Sequence, residues 1–139
     1  MKLSIKLTQT RIVTQDVPAL AKFYKDLTGV APDGSDEYVE FGFVEGGLAI
    51  CSKRSADMFG GAAAVPASNR SLVLDFQVED VDKEHVRLQS MIKEFVLKPT
   101  NQPWGNRSMI FQDPDGNLIN FYTIINDRPG HRSCATSGS

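Results

Sequence analysis

Histidine and cysteine are scarce in this chain, two of each in 139 residues. Metal centres and nucleophilic sites draw heavily on those residue types. His85 falls inside a charged helical stretch and His131 lies in a polar tail, so they do not read as a ligand pair. Cys51 and Cys134 are far apart, the second also in the tail, and no disulfide framework is expected. No sign of charge predominates either: 15 Lys and Arg face 17 Asp and Glu, for a net charge of −2. That balance supplies no basic field for nucleic acid and no polybasic cluster for anionic lipid. No apolar run approaches the ~18 residues of a membrane span. Met1–Lys6 lacks the apolar stretch of a signal peptide. The expectation is a cytoplasmic protein with neither nucleic-acid nor membrane partner.

What is present is ordinary globular material, 41% hydrophobic and 23% charged, enough for one domain with its own core. Residues 3–14 (LSIKLTQTRIVT) alternate with period two and predict a strand. Asp16 can cap a helix opening at Val17-Pro18, with Val17, Leu20, Phe23, Tyr24 and Leu27 on one stripe and Gly29 as its stop. Pro32-Asp33-Gly34 is a turn signal, and strands over 38–44 and 48–52 are expected to form a hairpin through Glu45-Gly46-Gly47. Residues 55–70 are rich in Gly, Ala, Pro and Ser and read as a mobile linker.

The order then repeats. A strand over Leu72–Val78 leads to Asp80-Val81, as the first strand leads to Asp16-Val17, an offset of 64 (80 − 16). A stripe through Val81, His85 or Leu88, Ile92 and Phe95 predicts the second helix. A short strand near 95–98, a Pro/Gly loop over Pro99–Gly105, and strands over 107–112 and 117–124 follow, the last two joined by Asp113-Pro114-Asp115-Gly116. The expected fold is therefore α+β: tandem βαβββ repeats making a curled, eight-stranded mixed sheet with a central cleft. Residues 1–126 form the expected domain, with repeat one over about 3–54, the linker over 55–70 and repeat two over about 71–126. Residues 127–139 form a polar tail.

The opening Asp16-Val17, Phe23-Tyr24 and Leu27-Thr28-Gly29, with the closing run from Asp113-Pro114-Asp115-Gly116-Asn117 to Asn120, resembles the vicinal-oxygen-chelate superfamily, the glyoxalase/bleomycin-resistance/dioxygenase group. The likeness spans about residues 5–125. Pro103-Trp104-Gly105-Asn106-Arg107 is similar to a segment of the bleomycin-binding branch that borders its drug cleft. Metal-using members take ligands from the first and last strands of each half. The resemblance carries those positions onto Gln9 and Val73, and onto Cys51 and Asn120. Valine cannot ligate, two amides are weak donors, and one thiolate does not complete the set, so no metal and no other cofactor are expected.

Alternation puts Arg11 on the face of Gln9, and Tyr122 on the face of Asn120 opposite Ile119 and Phe121. The candidate ligand-binding set is thus Gln9, Arg11, Cys51, Trp104, Arg107, Asn120 and Tyr122. Four of them have a plainer reading: Arg11 as a rim cation, Cys51 as a small buried hydrophobe, Trp104 as part of a structural corner, and Arg107 as the partner of an acid. Glu40 lies opposite Val39, Phe41 and Phe43 and reads either as a carboxylate in the cleft or as one facing water. The resemblance implies a metal-independent small-molecule binder, a homodimer sequestering an antibiotic-like, aromatic or cationic ligand. The alternative is a lyase, isomerase or dioxygenase-like enzyme using a divalent metal. Whether the repeats pair within a chain or exchange between chains stays open.

Overall fold

The computed structural model describes residues 4–58 and 63–125. The 127–139 tail, with His131 and Cys134, lies outside the described residues. The chain divides into two compact units, Met1–Asn69 and Arg70–Ser139, which follow the two repeats. Each carries one four-stranded mixed sheet, so the eight expected strands are shared equally.

In the first unit, β1 (Thr10–Thr14) leads to α1 (Val17–Thr28), then β2 (Asp33–Gly34), β3 (Tyr38–Phe43), β4 (Gly46–Ser52) and α2 (Lys53–Met58). The sheet order is β1-β4-β3-β2, with β1 parallel to β4 and the other pairs antiparallel. Asp16 caps α1 by accepting from the Ala19 N–H at 3.0 Å, and Gly29 ends it at φ 76°. That left-handed conformation suits glycine, and its N–H reaches the Lys25 carbonyl at 2.8 Å. Val17, Leu20, Ala21, Tyr24 and Leu27 are the buried residues of α1. The helix packs on β3 and β4, where Val39, Phe41, Leu48 and Ile50 form the facing layer. Full burial of each large side chain stabilises the unit by about 1.5–3 kcal/mol.

Three expectations shift here. The first strand starts at Thr10, not residue 3. Its ladder with β4 begins at Thr10 opposite Leu48, and residues 4–9 join no ladder among the described residues despite their alternation. The hairpin glycines belong to β4 and leave Val44-Glu45 as the turn; a Cβ on Gly47 would come within 3.3 Å of Gln9 Cβ. The expected linker opens with a helix: Ser52 Oγ caps α2 by accepting from the Ser55 N–H at 2.9 Å, Lys53 pairs with Asp57, and Ala56 is buried.

The second unit runs β5 (Val73–Gln77), α3 (Val81–Leu88), β6 (Leu97–Asn101), β7 (Asn106–Gln112) and β8 (Leu118–Ile124), in sheet order β5-β8-β7-β6. Asp80 caps α3 by accepting from the N–H groups of Asp82 and Lys83. Leu88 takes the buried place and His85 rests edge-on against Phe95, ring centroids 4.7 Å apart. Strand β6 continues through Pro99 where a loop was expected. It is an edge strand, and Pro99 sits in a register shift between Leu97 and Thr100, where its missing N–H breaks no ladder bond.

Candidate functional site

Ladder register decides which side chains can meet. In the first sheet, Thr10, Ile12 and Thr14 pair with Leu48, Ile50 and Ser52 on the α1 side. The opposite face carries Arg11 across from Ala49 and Val13 across from Cys51, with Tyr38 and Glu40 of β3 across from Cys51 and Ala49. A chain of polar contacts crosses that face. Gln9 Nε2 donates to Tyr38 Oη at 3.2 Å, and Tyr38 Oη donates to Glu40 Oε2 at 2.7 Å. The Arg11 guanidinium lies over the Tyr38 ring, 5.5 Å from its centroid. Cys51 is buried, and burial raises its thiol pKa against a smaller opposing pull from Arg11. A neutral, enclosed thiol is a packing group, not a nucleophile.

Tyr38 joins Gln9, Arg11 and Glu40 into one cluster, and the sequence reading passed over it. The signal was available: Tyr38 stands two residues from Glu40, opposite the same apolar set. Glu40 is exposed, yet it is also the acceptor that ends the chain of contacts.

In the second sheet, Asn120 lies across from Asp75 and Ile110, and Tyr122 across from Gln77 and Ser108, all on the face away from α3. Asn120 Nδ2 donates to Asp75 Oδ1 at 2.9 Å. Asn120 Oδ1 is closed off from solvent and has no partner among the described residues. Arg107 belongs elsewhere. It pairs in β7 with Thr123 on the α3 side, and its Nε and Nη2 grip both Asp82 carboxylate oxygens at 2.9 and 3.0 Å while Nη1 donates to Asn101. The hydrogen bond from Arg107 holds the Asp82 carboxyl below its ordinary pKa. Arg107 therefore clamps the first turn of α3 to the sheet and is not grouped with Asn120 and Tyr122. Trp104 occupies the β6–β7 turn, closed by Gly105 N–H to Gln102 O at 3.1 Å, and stays 51% exposed.

Register also corrects the repeat correspondence. Val13 and Gln77 are related by the offset of 64; the first pairs with Cys51 and the second with Tyr122. Arg11 and Asp75 are related likewise and pair with Ala49 and Asn120. Cys51 thus corresponds to Tyr122, and Asn120 to Ala49, two residues away from the match expected.

The donor set does not fit a divalent ion. Val73 has no donor atom, the Cys51 thiol is kept protonated, and Gln9 and Asn120 offer only neutral amide oxygens. Among the described residues no group of three or more His, Cys, Asp or Glu could hold a metal.

The family model of the Glyoxalase/Bleomycin resistance protein/Dioxygenase superfamily matches residues 6–121. The chain belongs to that superfamily. A Bacillus subtilis (strain 168) relative, the uncharacterized protein YraH, is 29% identical over 130 residues, covering 87% of this chain and 100% of its own. Among solved structures, a glyoxalase/bleomycin resistance protein/dioxygenase from Nocardioides is similar with a TM-score of 0.76 at 22% identity, covering 96% of this chain and 93% of that one. A family enzyme from Burkholderia phytofirmans PsJN is similar with a TM-score of 0.75 at 17% identity, over 85% of this chain and 98% of its own. At those identities the likeness establishes the superfamily fold and leaves the chemistry to the side chains. No helix among the described residues is long and apolar enough to cross a membrane.

Proposed function

We propose that this member of the superfamily is a small-molecule-binding protein that works without a metal ion and captures an antibiotic-like, aromatic or cationic ligand. The Gln9–Tyr38–Glu40 chain with Arg11 over the Tyr38 ring carries this reading. It sets a flat ring, a carboxylate and a guanidinium within one sheet face, which suits recognition by stacking and hydrogen bonding. Nothing in the cluster is an activated nucleophile, and the amide donors at the family's ligand positions favour binding over metal chemistry.

Calorimetric titration of the native protein and of Tyr38→Phe against a panel of cationic aromatic compounds tests it. Phenylalanine keeps the ring and removes the hydroxyl that links Gln9 to Glu40. Loss of that hydroxyl, which accepts from Gln9 and donates to Glu40, weakens binding about 10-fold, or ~1.4 kcal/mol. No heat with any compound, or equal affinity in Tyr38→Phe, rejects the reading. Elemental analysis of protein purified without chelator adds a second check: a stoichiometric divalent ion lost on Gln9→Ala or Asn120→Ala restores the metal-dependent alternative. The expected homodimer belongs to the same proposal. Ile5 and Leu7 are 83% and 96% exposed in the segment without a ladder partner, and a second copy could cover them. Sedimentation showing only the 15.3 kDa monomer at working concentration removes that part.

A further inference from the structure

We infer that Asp75 and Asn120 form a subsite for a protonated nitrogen, an ammonium or amidinium group carried by a small molecule. The inference rests on the reading of the chain as a small-molecule binder and names the chemistry of one ligand group.

The argument starts from which end of the Asn120 amide faces Asp75. A carboxylate only accepts, so the amide must turn its NH2 towards Asp75 Oδ1, 2.9 Å away. Its oxygen is then directed elsewhere, closed off from solvent and without a donor among the described residues. Ile110, the cross-strand neighbour on the other side, has no donor in its side chain. Buried carbonyl oxygens are rarely left without a donor, and one that is calls for a partner from outside the framework.

Asp75 beside it is exposed, and no Lys or Arg forms an ion pair with it among the described residues. The positions of β5, β7 and β8 on this face hold no Lys or Arg at all. A carboxylate next to an amide whose oxygen lacks a donor excludes an anion as the occupant. One carboxylate and one amide oxygen are too few to strip the hydration of a divalent ion. A nitrogen cation with two or more N–H groups can donate to the Asp75 carboxylate with one and, when the partly buried Asn120 amide turns its oxygen towards it, to Oδ1 with another. Tyr122, two residues along the same face, supplies a ring against which the body of such a ligand can lie.

The fold does not demand this pair. At the corresponding position of the first unit, Arg11 faces Ala49, the opposite charge beside a methyl group.

Titration of the full chain with benzylammonium, followed by the 15N side-chain amide signals of Asn120, tests the subsite, with benzyl alcohol and benzoate as probes of matched size. The expected result is a saturable shift of the Asn120 side-chain signals with benzylammonium, weakened at least 10-fold by Asp75→Asn, and by Asn120→Leu when the titration is followed at the Tyr122 backbone amide. Asp75 is exposed, so its variant keeps the test decisive even where Asn120→Leu fails to fold. Silence at Asn120, an equal shift with benzyl alcohol, or unchanged affinity in Asp75→Asn overturns the subsite. Tyr38 signals separate the two readings. Movement at Tyr38 with none at Asn120 rejects the subsite and leaves the binding cluster standing, and movement at Asn120 alone upholds the subsite and removes Tyr38 from the ligand's reach.

Discussion

Replacing Asp113 by alanine should destabilise the second unit at the turn between β7 and β8. The carboxylate is 5% exposed at the end of β7. Its Oδ1 accepts the N–H groups of Asp115 and Asn117 at 2.9 Å each, and its Oδ2 accepts Asn117 Nδ2 at 2.8 Å. Asn117 is itself 5% exposed, so alanine at 113 strands two of its donors, while the half-buried Asp115 regains water. A stranded buried donor costs about 1–3 kcal/mol, which puts the Ala variant near 3 kcal/mol after relaxation. With a urea slope of about 1–3 kcal/mol per molar, the unfolding midpoint falls by about 1 M or more. Asp113→Asn keeps one oxygen for the two N–H bonds and lets the Asn117 amide flip to accept, so its loss stays near ~1 kcal/mol. Urea unfolding followed by far-UV circular dichroism compares the two. A loss below ~1 kcal/mol for alanine, or equal losses for both variants, refutes the reasoning that acceptor geometry at this turn holds β7 to β8.

Cys51 offers a second check: in a Cys134→Ser background, burial should slow its alkylation by iodoacetamide at pH 8 by about 10-fold or more relative to the urea-unfolded chain. Equal rates would show an accessible thiol and contradict its enclosure. Asp82 gives a pH dependence of known sign. Its carboxyl is depressed in the folded state by Arg107, so the pair contributes stability above the unfolded carboxyl pKa and loses it as pH falls through the folded value. The urea midpoint of the native chain should therefore decline more steeply than that of Arg107→Gln below about pH 4, and parallel curves would show that the clamp carries no linkage.

The framework was legible because its local signals agree. Asp16 and Asp80 each cap a helix, each is preceded by a strand, and Ile119 and Phe121 alternate with Asn120 and Tyr122 as a half-buried strand requires. What escaped depends on partners that alternation does not reveal. Residues 4–9 alternate as well as Thr10–Thr14 do, but strand length is set by pairing, and the ladder to β4 begins only at Thr10 opposite Leu48. Pro99 reads as a strand breaker until it is seen on an edge at a register shift. Ser52 ahead of a serine- and alanine-rich run is a cap signal hidden by the linker composition that follows. The candidate site suffered from the same cause. Counting from motifs matches Cys51 with Asn120, whereas the ladders match Cys51 with Tyr122. Arg107 could be separated from Asn120 only by knowing which face of β7 looks at α3.

Comparison of the two repeats through their ladders shows why the face away from the helix is where function should be sought. On the helix side, Ile12 corresponds to Phe76, Leu48 to Ile119, Ile50 to Phe121, and Phe41 to Phe111. Every one of these is apolar in both copies, as packing under a helix demands. On the other face the same correspondence sets Arg11 against Asp75, Ala49 against Asn120, Cys51 against Tyr122, Tyr38 against Ser108 and Glu40 against Ile110. Charge reverses at one position, a carboxylate stands against an isoleucine at another, and a thiol stands against a phenol hydroxyl at a third. One backbone tolerates both sets, so neither set is a condition of folding. The Tyr38 cluster in one unit and the Asp75–Asn120 pair in the other are therefore chemistry the framework leaves free, and each carries an open hydrogen-bonding or charge demand that a ligand group can meet.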